Sequence, residues 1–166
     1  MKKVFQIILG FVLLIVLIVV GVVMYIDLEV FDSAQAFNTY LYNNYSNVYE
    51  YQNSNNNLLN LDSYNTVKEV KEIDINGKRV ITAYYETNNL KVLKREIDNY
   101  MKRNEGHIKI KSYEINIPFY GGLWTQTSKG TTNLIWALDN KAILIRGNSR
   151  DNVETIKYDI KSYLDK

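Results

Sequence analysis

The chain has 166 residues, 46% of them hydrophobic and 23% charged, with one Pro, one His and no Cys. That length predicts one domain with an appendage. The missing Cys excludes disulfides, thiolate metal sites and a Cys nucleophile, and the lone His107 excludes any site that needs two imidazoles.

The first element is apolar. Residues 1–3 contribute Lys2 and Lys3, and the next 23 residues, Val4 to Ile26, carry no charge. At about 1.5 Å per residue such a helix is roughly 34 Å long, enough to cross a hydrocarbon layer of about 30 Å. A secretory signal has a shorter apolar core, followed closely by a small-x-small site. Here the nearest such site is Ala34-Gln35-Ala36, beyond Asp27, Glu29 and Asp32. Residues 4–26 therefore read as an uncleaved, single-pass signal anchor in the lipid bilayer. Lys2 and Lys3 precede it and the first basic residue after it is Lys68. This asymmetry places residues 1–3 in the cytoplasm and 27–166 outside.

The net charge of +2 hides two opposed segments. Residues 27–65 hold Asp27, Glu29, Asp32, Glu50 and Asp62 and no base, a balance of −5. Residues 66–166 hold 18 basic and 13 acidic residues, a balance of +5. The acidic segment has ten Asn and six Tyr between Asn38 and Asn65 and reads as a partly helical stalk. Phe31, Ala34, Phe37, Leu41 and Tyr45 recur at helical spacing, which predicts a helix over 31–50 capped by Asp32 or Ser33. The Asn run at 52–65 favours a loop. Asn44-Tyr45-Ser46 matches the N-glycosylation pattern, a weak signal in so Asn-rich a chain.

In the head, residues 66–166, Thr66–Ile75 and Lys78–Thr87 form a predicted hairpin around Asn76-Gly77. Asn88 or Asn89 caps a helix whose apolar face is Leu90, Leu93, Ile97, Tyr100 and Met101, closed by Gly106. A strand over His107–Ile117 ends at Pro118, with a bulge expected near Lys111-Ser112. Residues 119–131 read as a loop. A second hairpin joins Thr132–Leu138 to Lys141–Arg146, and Ser149 caps a last helix facing the core with Val153, Ile156, Ile160, Tyr163 and Leu164. The expected fold is α+β, a head of order ββαβββα with both helices on one face of a mainly antiparallel sheet. The other sheet face is then left for solvent or a partner.

No motif for chemistry emerges. His107 has no second ligand at metal-binding spacing, and neither a G-x-S-x-G elbow nor a phosphate-binding Gly loop occurs. No catalytic residue, metal ligand or cofactor is assigned, and nucleic acid is not an expected partner. The most suggestive stretch is the predicted loop bearing Phe119, Tyr120, Gly121, Gly122, Leu123 and Trp124, where large apolar groups flank a Gly pair. Aromatic loops supply contact area at low entropic cost, although the same side chains can also fold back onto the core. Together these features predict a non-enzymatic, extracytoplasmic binding or accessory subunit of a cell-envelope assembly, with a membrane or envelope protein as partner. The alternatives are a ligand sensor acting through another membrane protein, and an envelope hydrolase whose carboxylate pair is assembled by the fold.

Overall fold

The sheet is organised by three two-residue turns in which the chain takes positive φ. At Asn76-Gly77 φ is 55° and 73°, and the Asp74 carboxylate accepts from the Gly77 amide at 2.8 Å. Lys129-Gly130 repeats the pattern with φ of 48° and 79°, and Asp139 opens the third turn at 52°. Turns of this hand match the right-handed twist of the strands they join.

The computed structural model describes residues 6, 9–15, 29–52, 58–61, 65–104, 107–111 and 121–166. In chain order these form α1 (Ala34–Asn44), β1 (Val48–Glu50), β2 (Thr66–Ile75), β3 (Lys78–Thr87), α2 (Leu90–Arg103), β4 (His107–Lys111), β5 (Gly121–Ser128), β6 (Thr131–Leu138), β7 (Lys141–Gly147) and α3 (Arg150–Leu164). The strands make one antiparallel sheet of order β1-β2-β3-β7-β6-β5-β4, with three-residue β1 at one edge. The α+β class and the antiparallel sheet agree with the sequence reading, but the order of elements does not. The stretch expected as a loop at 119–131 contains β5, whose register runs from Gly121 opposite Leu138 to Ser128 opposite Thr131. Pairing on both sides, with β4 and β6, overrides the weak strand signal of a Gly pair and small polar residues.

The placement of the helices also differs from expectation. They lie on opposite faces. On one face α1 and α3 bring Phe37, Tyr40, Leu41, Val153, Ile156 and Ile160 onto Ile73, Val80, Tyr84, Leu134, Ile143 and Ile145. On the other, α2 and the segment 58–61 bring Leu59, Leu61, Leu93, Ile97 and Tyr100 onto Ala83, Tyr85, Ile135, Ala137 and Leu144. The reason is in the central strands: β6 is buried at six consecutive positions and β7 at four, on both parities. A strand with no polar side cannot leave either face in water, so neither face of the central sheet stays open.

The caps fall where side-chain chemistry predicts. Ser33 accepts from the Ala36 amide at 3.2 Å, Asn89 from Val92 at 3.2 Å and Ser149 from Asn152 at 3.4 Å. The expected helix over 31–50 is the shorter α1, and it is packed against the head: Phe37 and Leu41 have no exposed surface and Phe31 only 2%. The acidic segment therefore supplies part of the same core. The helix expected to close at Gly106 ends at Arg103, with Asn104 as its cap. Gly106 itself lies outside the described residues, as do 112–120, which include the expected bulge, Pro118 and the second half of the predicted strand.

Most of the expected anchor also lies outside the described residues. Residues 9–15 are helical, and among the described residues no helix is long and apolar enough to cross a membrane.

Candidate contact surfaces

Of the six residues singled out in the predicted loop, Phe119 and Tyr120 lie outside the described residues. The other four sit in β5. Gly121 and Gly122 are buried, and Leu123 and Trp124 are half-buried on opposite faces. Leu123 packs with the α1–α3 cluster and Trp124 with the α2 cluster. The Trp124 ring lies over Gly122, so closely that a Cβ built there would meet its Cη2 at 2.5 Å. Gly122 is thus the floor on which the indole rests, and the ring fills the space that a side chain would take. What the structure brings together is an aromatic-over-glycine contact near one edge of the sheet, with both large side chains turned onto the core.

The same face carries a polar row that sequence reasoning missed. Gln126, Asn133 and Arg146 stand opposite one another across β5, β6 and β7, and the Tyr100 side chain of α2 comes down on them. Tyr100 donates to Asn133 Oδ1 at 2.8 Å, Arg146 donates to the Tyr100 oxygen at 3.2 Å and to Asn104 Oδ1 at 3.4 Å. Gln126 Nε2 donates to the Met101 carbonyl at 3.2 Å, while its buried Oε1 has no hydrogen-bond partner among the described residues. Burial pushes the Tyr100 hydroxyl pKa up, opposed by the Arg146 charge and its hydrogen bond. The row anchors the C-terminal end of α2 to three strands. Its members lie far apart in sequence, and the register alone brings them level.

The opposite face is held by aromatic rings. Phe31 meets Phe37 at 5.4 Å, Tyr40 at 5.2 Å and Tyr163 at 5.8 Å between centroids, and Tyr40 meets Tyr163 at 4.7 Å. These distances suit edge-on and offset packing. Tyr45 donates to Asp159 at 2.9 Å, joining the end of α1 to α3. Burial first, then the Asp159 and Tyr163 charges, push the Tyr40 pKa up to about 12 against the opposing pull of the neighbouring Tyr45 hydroxyl. Tyr45 and Tyr84 are raised as well, each first by burial, and then by the neighbouring Tyr40 hydroxyl for Tyr45 and by the hydrogen bond to Glu86 for Tyr84.

At the β1 edge the acidic and basic segments meet. Lys71, whose side chain is 7% exposed, is paired with Glu50 directly across the β1–β2 ladder and lies 3.7 Å from Glu69. Its ammonium stands 5.8 Å from the Tyr42 ring of α1. Burial alone would lower the Lys71 pKa, but the Glu50 hydrogen bond and the charges of Tyr42, Glu50 and Glu69 raise it. Asn44, in the glycosylation pattern, is exposed and donates to the Tyr40 carbonyl at 2.8 Å at the end of α1. Among the described residues no three His, Asp or Glu converge as metal ligands would.

A shallow groove of about 420 Å³ lies where the chain enters the head, lined by Glu29, Phe31, Asp32, Ala36, Tyr163 and Lys166 among others. Compared with protein-family models, curated proteins and solved structures, the chain matches none.

Proposed function

We propose that this chain is a single-pass membrane protein, N-terminus cytoplasmic, whose extracytoplasmic α+β head works by binding as an accessory subunit of a cell-envelope assembly. The observation that carries the reading is the apolar run at 4–26, together with the helical stretch 9–15 inside it. There Phe11 is 65% exposed, and Leu9, Val12, Leu13, Leu14 and Ile15 are each near half exposed. A sheet already covered on both faces by its own helices has no need of these side chains, so they call for an apolar environment of another kind. A bilayer supplies it, and a helix satisfies every backbone polar group there.

Binding rather than catalysis is supported by how the polar interior is used. Asn133 and Arg146 both bond to the Tyr100 hydroxyl, and Asn152 Nδ2 donates to the Ile75 carbonyl at 3.0 Å. These groups hold helices to strands. The candidate partner surface is the β4–β5 side of the sheet, where Leu123 and Trp124 pack on the core but stay half-buried; Phe119 and Tyr120, which precede β5 in the chain, lie outside the described residues.

Protease added to intact cells is expected to remove the head and leave a short membrane-embedded fragment. Full protection of the head would overturn the topology. Crosslinking in membranes followed by detergent purification is expected to recover an envelope protein joined to the β4–β5 side, and recovery of the chain alone would overturn the accessory role.

A further inference from the structure

The groove at the chain's entry into the head has a position that can be worked out from covalent reach. Phe31 is buried in the aromatic cluster, and its carbonyl accepts from the Tyr84 hydroxyl at 3.4 Å. The next carbonyl, of Asp32, accepts from Lys141 Nζ at 2.8 Å. These two bonds pin the entry to the end of the sheet that holds the Asp139-Asn140 turn. The same end receives the close of β3, where the Thr87 amide donates to the Asn140 carbonyl at 3.0 Å. Five residue steps separate Ile26, the last residue of the apolar run, from Phe31, and fully extended they span at most about 17 Å. The opposite end of the sheet carries the Asn76-Gly77 turn. The ten residues of β3 set it roughly 30 Å further away.

The surface so held has the chemistry of a membrane interface. Tyr163, 45% exposed, stacks on Phe31 with its ring planes at 30°, an amphipathic aromatic of the type that settles at headgroup depth. The groove beside it is lined by apolar Phe31 and Ala36, by the acidic residues Glu29 and Asp32, and by the basic Lys166. Both charges of a zwitterionic headgroup find a complement there: its ammonium at the carboxylates and its phosphate at the lysine. We propose that this groove is a phospholipid-headgroup contact, seating the head directly on the bilayer with the Asn76-Gly77 turn pointing away from it. The inference rests on the anchor reading and adds an orientation to it. Phe31 is fixed in the core so close to the apolar run that the head cannot swing free on a long stalk.

The test uses the absence of native Cys. Ser162→Cys, beside the groove, and Lys78→Cys, at the far turn, are both at exposed positions and each takes a small fluorophore. The full chain is placed in vesicles of phosphatidylcholine and phosphatidylethanolamine in which a fraction of the headgroups carries a nitroxide quencher. The label at 162 is expected to be quenched several-fold more strongly than the label at 78. Weak and equal quenching in protein that still floats with the vesicles overturns the headgroup contact and leaves the anchor standing. Protein that does not float with the vesicles overturns the anchor, and the contact with it. In the Ser162→Cys background, Lys166→Glu is expected to lower the quenching without loss of flotation, and unchanged quenching would remove the lysine from the contact.

Discussion

The face under α1 and α3 is closed by rings, whereas the face under α2 is closed by aliphatic side chains around a buried polar row. On the first face Phe31, Phe37, Tyr40, Tyr84 and Tyr163 interlock, and the tyrosine hydroxyls reach outward to Asp159 and Glu86 or to the Phe31 carbonyl. On the second face Leu59, Leu61, Leu93 and Ile97 pack on Ala83 and Ala137, and orientation comes from Tyr100, Asn133 and Arg146. Rings supply large buried area with few rotamers to lose, so they tolerate a polar tip at the periphery. Aliphatic contacts are less directional, and the hydrogen-bonded row gives α2 a fixed position along the strands. The contrast teaches that one sheet can be closed by shape on one side and by hydrogen-bond geometry on the other.

The contrast can be broken or sharpened by substitution. The largest effect is expected from Phe37→Ala, which empties the centre of the ring cluster and costs about 3–5 kcal/mol of unfolding free energy in denaturant titration. A loss below about 1 kcal/mol would mean that α1 is an appendage instead of part of the core.

Alkaline pH should come next and act mainly on the ring face. The tyrosines there have pKa values raised in the folded state, so their contribution is fully present below the unfolded value near pH 10. It is lost as pH rises through the folded values, since the unfolded chain then releases protons that the folded chain retains. For Tyr40, raised to about 12, the loss by pH 12 reaches about 2–3 kcal/mol. Circular dichroism and tyrosinate absorbance followed together should show the hydroxyls ionising as the fold is lost. Full ionisation at pH 10 with the fold intact would contradict it.

On the opposite face, Gly122→Ala drives a methyl into the Trp124 ring and is expected to cost about 1–3 kcal/mol. Indole fluorescence should shift to the red as the ring is displaced, and Trp124→Leu in the same chain should relieve much of the loss. Tyr100→Phe leaves Asn133 Oδ1 without the Tyr100 donor and is expected to cost about 1–2 kcal/mol, most visible as faster amide exchange in the last turn of α2. The smallest effect belongs to Asp159→Asn, at the solvent-exposed Tyr45 contact, where about 0.5 kcal/mol or less is expected.

Much of the fold was legible locally. The Asn76-Gly77 turn, the three capping residues and the periodic faces of α2 and α3 follow from short-range stereochemistry that any context preserves. Strand β5 was not legible, because Gly121-Gly122 and the run Thr125 to Ser128 lack an apolar alternation. Only two flanking strands make them a strand. The helix placement had a signal that composition obscured: Val80 to Tyr85 and Ala142 to Ile145 are apolar on both parities, which requires cover on both faces. The Asn-rich segment concealed Leu58, Leu59 and Leu61, which are buried. Of the candidate contact residues, the sequence marked Leu123 and Trp124 as large apolar groups beside a Gly pair. It did not show that the indole would occupy the glycine's own space.

The sequence by itself determined the uncharged apolar run, the sign of the charge on either side of it, and the want of thiol and paired-imidazole chemistry. These are properties of composition and covalent order, which no fold can change. Tertiary structure alone decided which sheet face each helix covers, which polar groups share a row, and that residues 29–50 join the core. Each of these depends on register and on contacts between distant residues, where the energy lies in simultaneous burial and no local segment carries it.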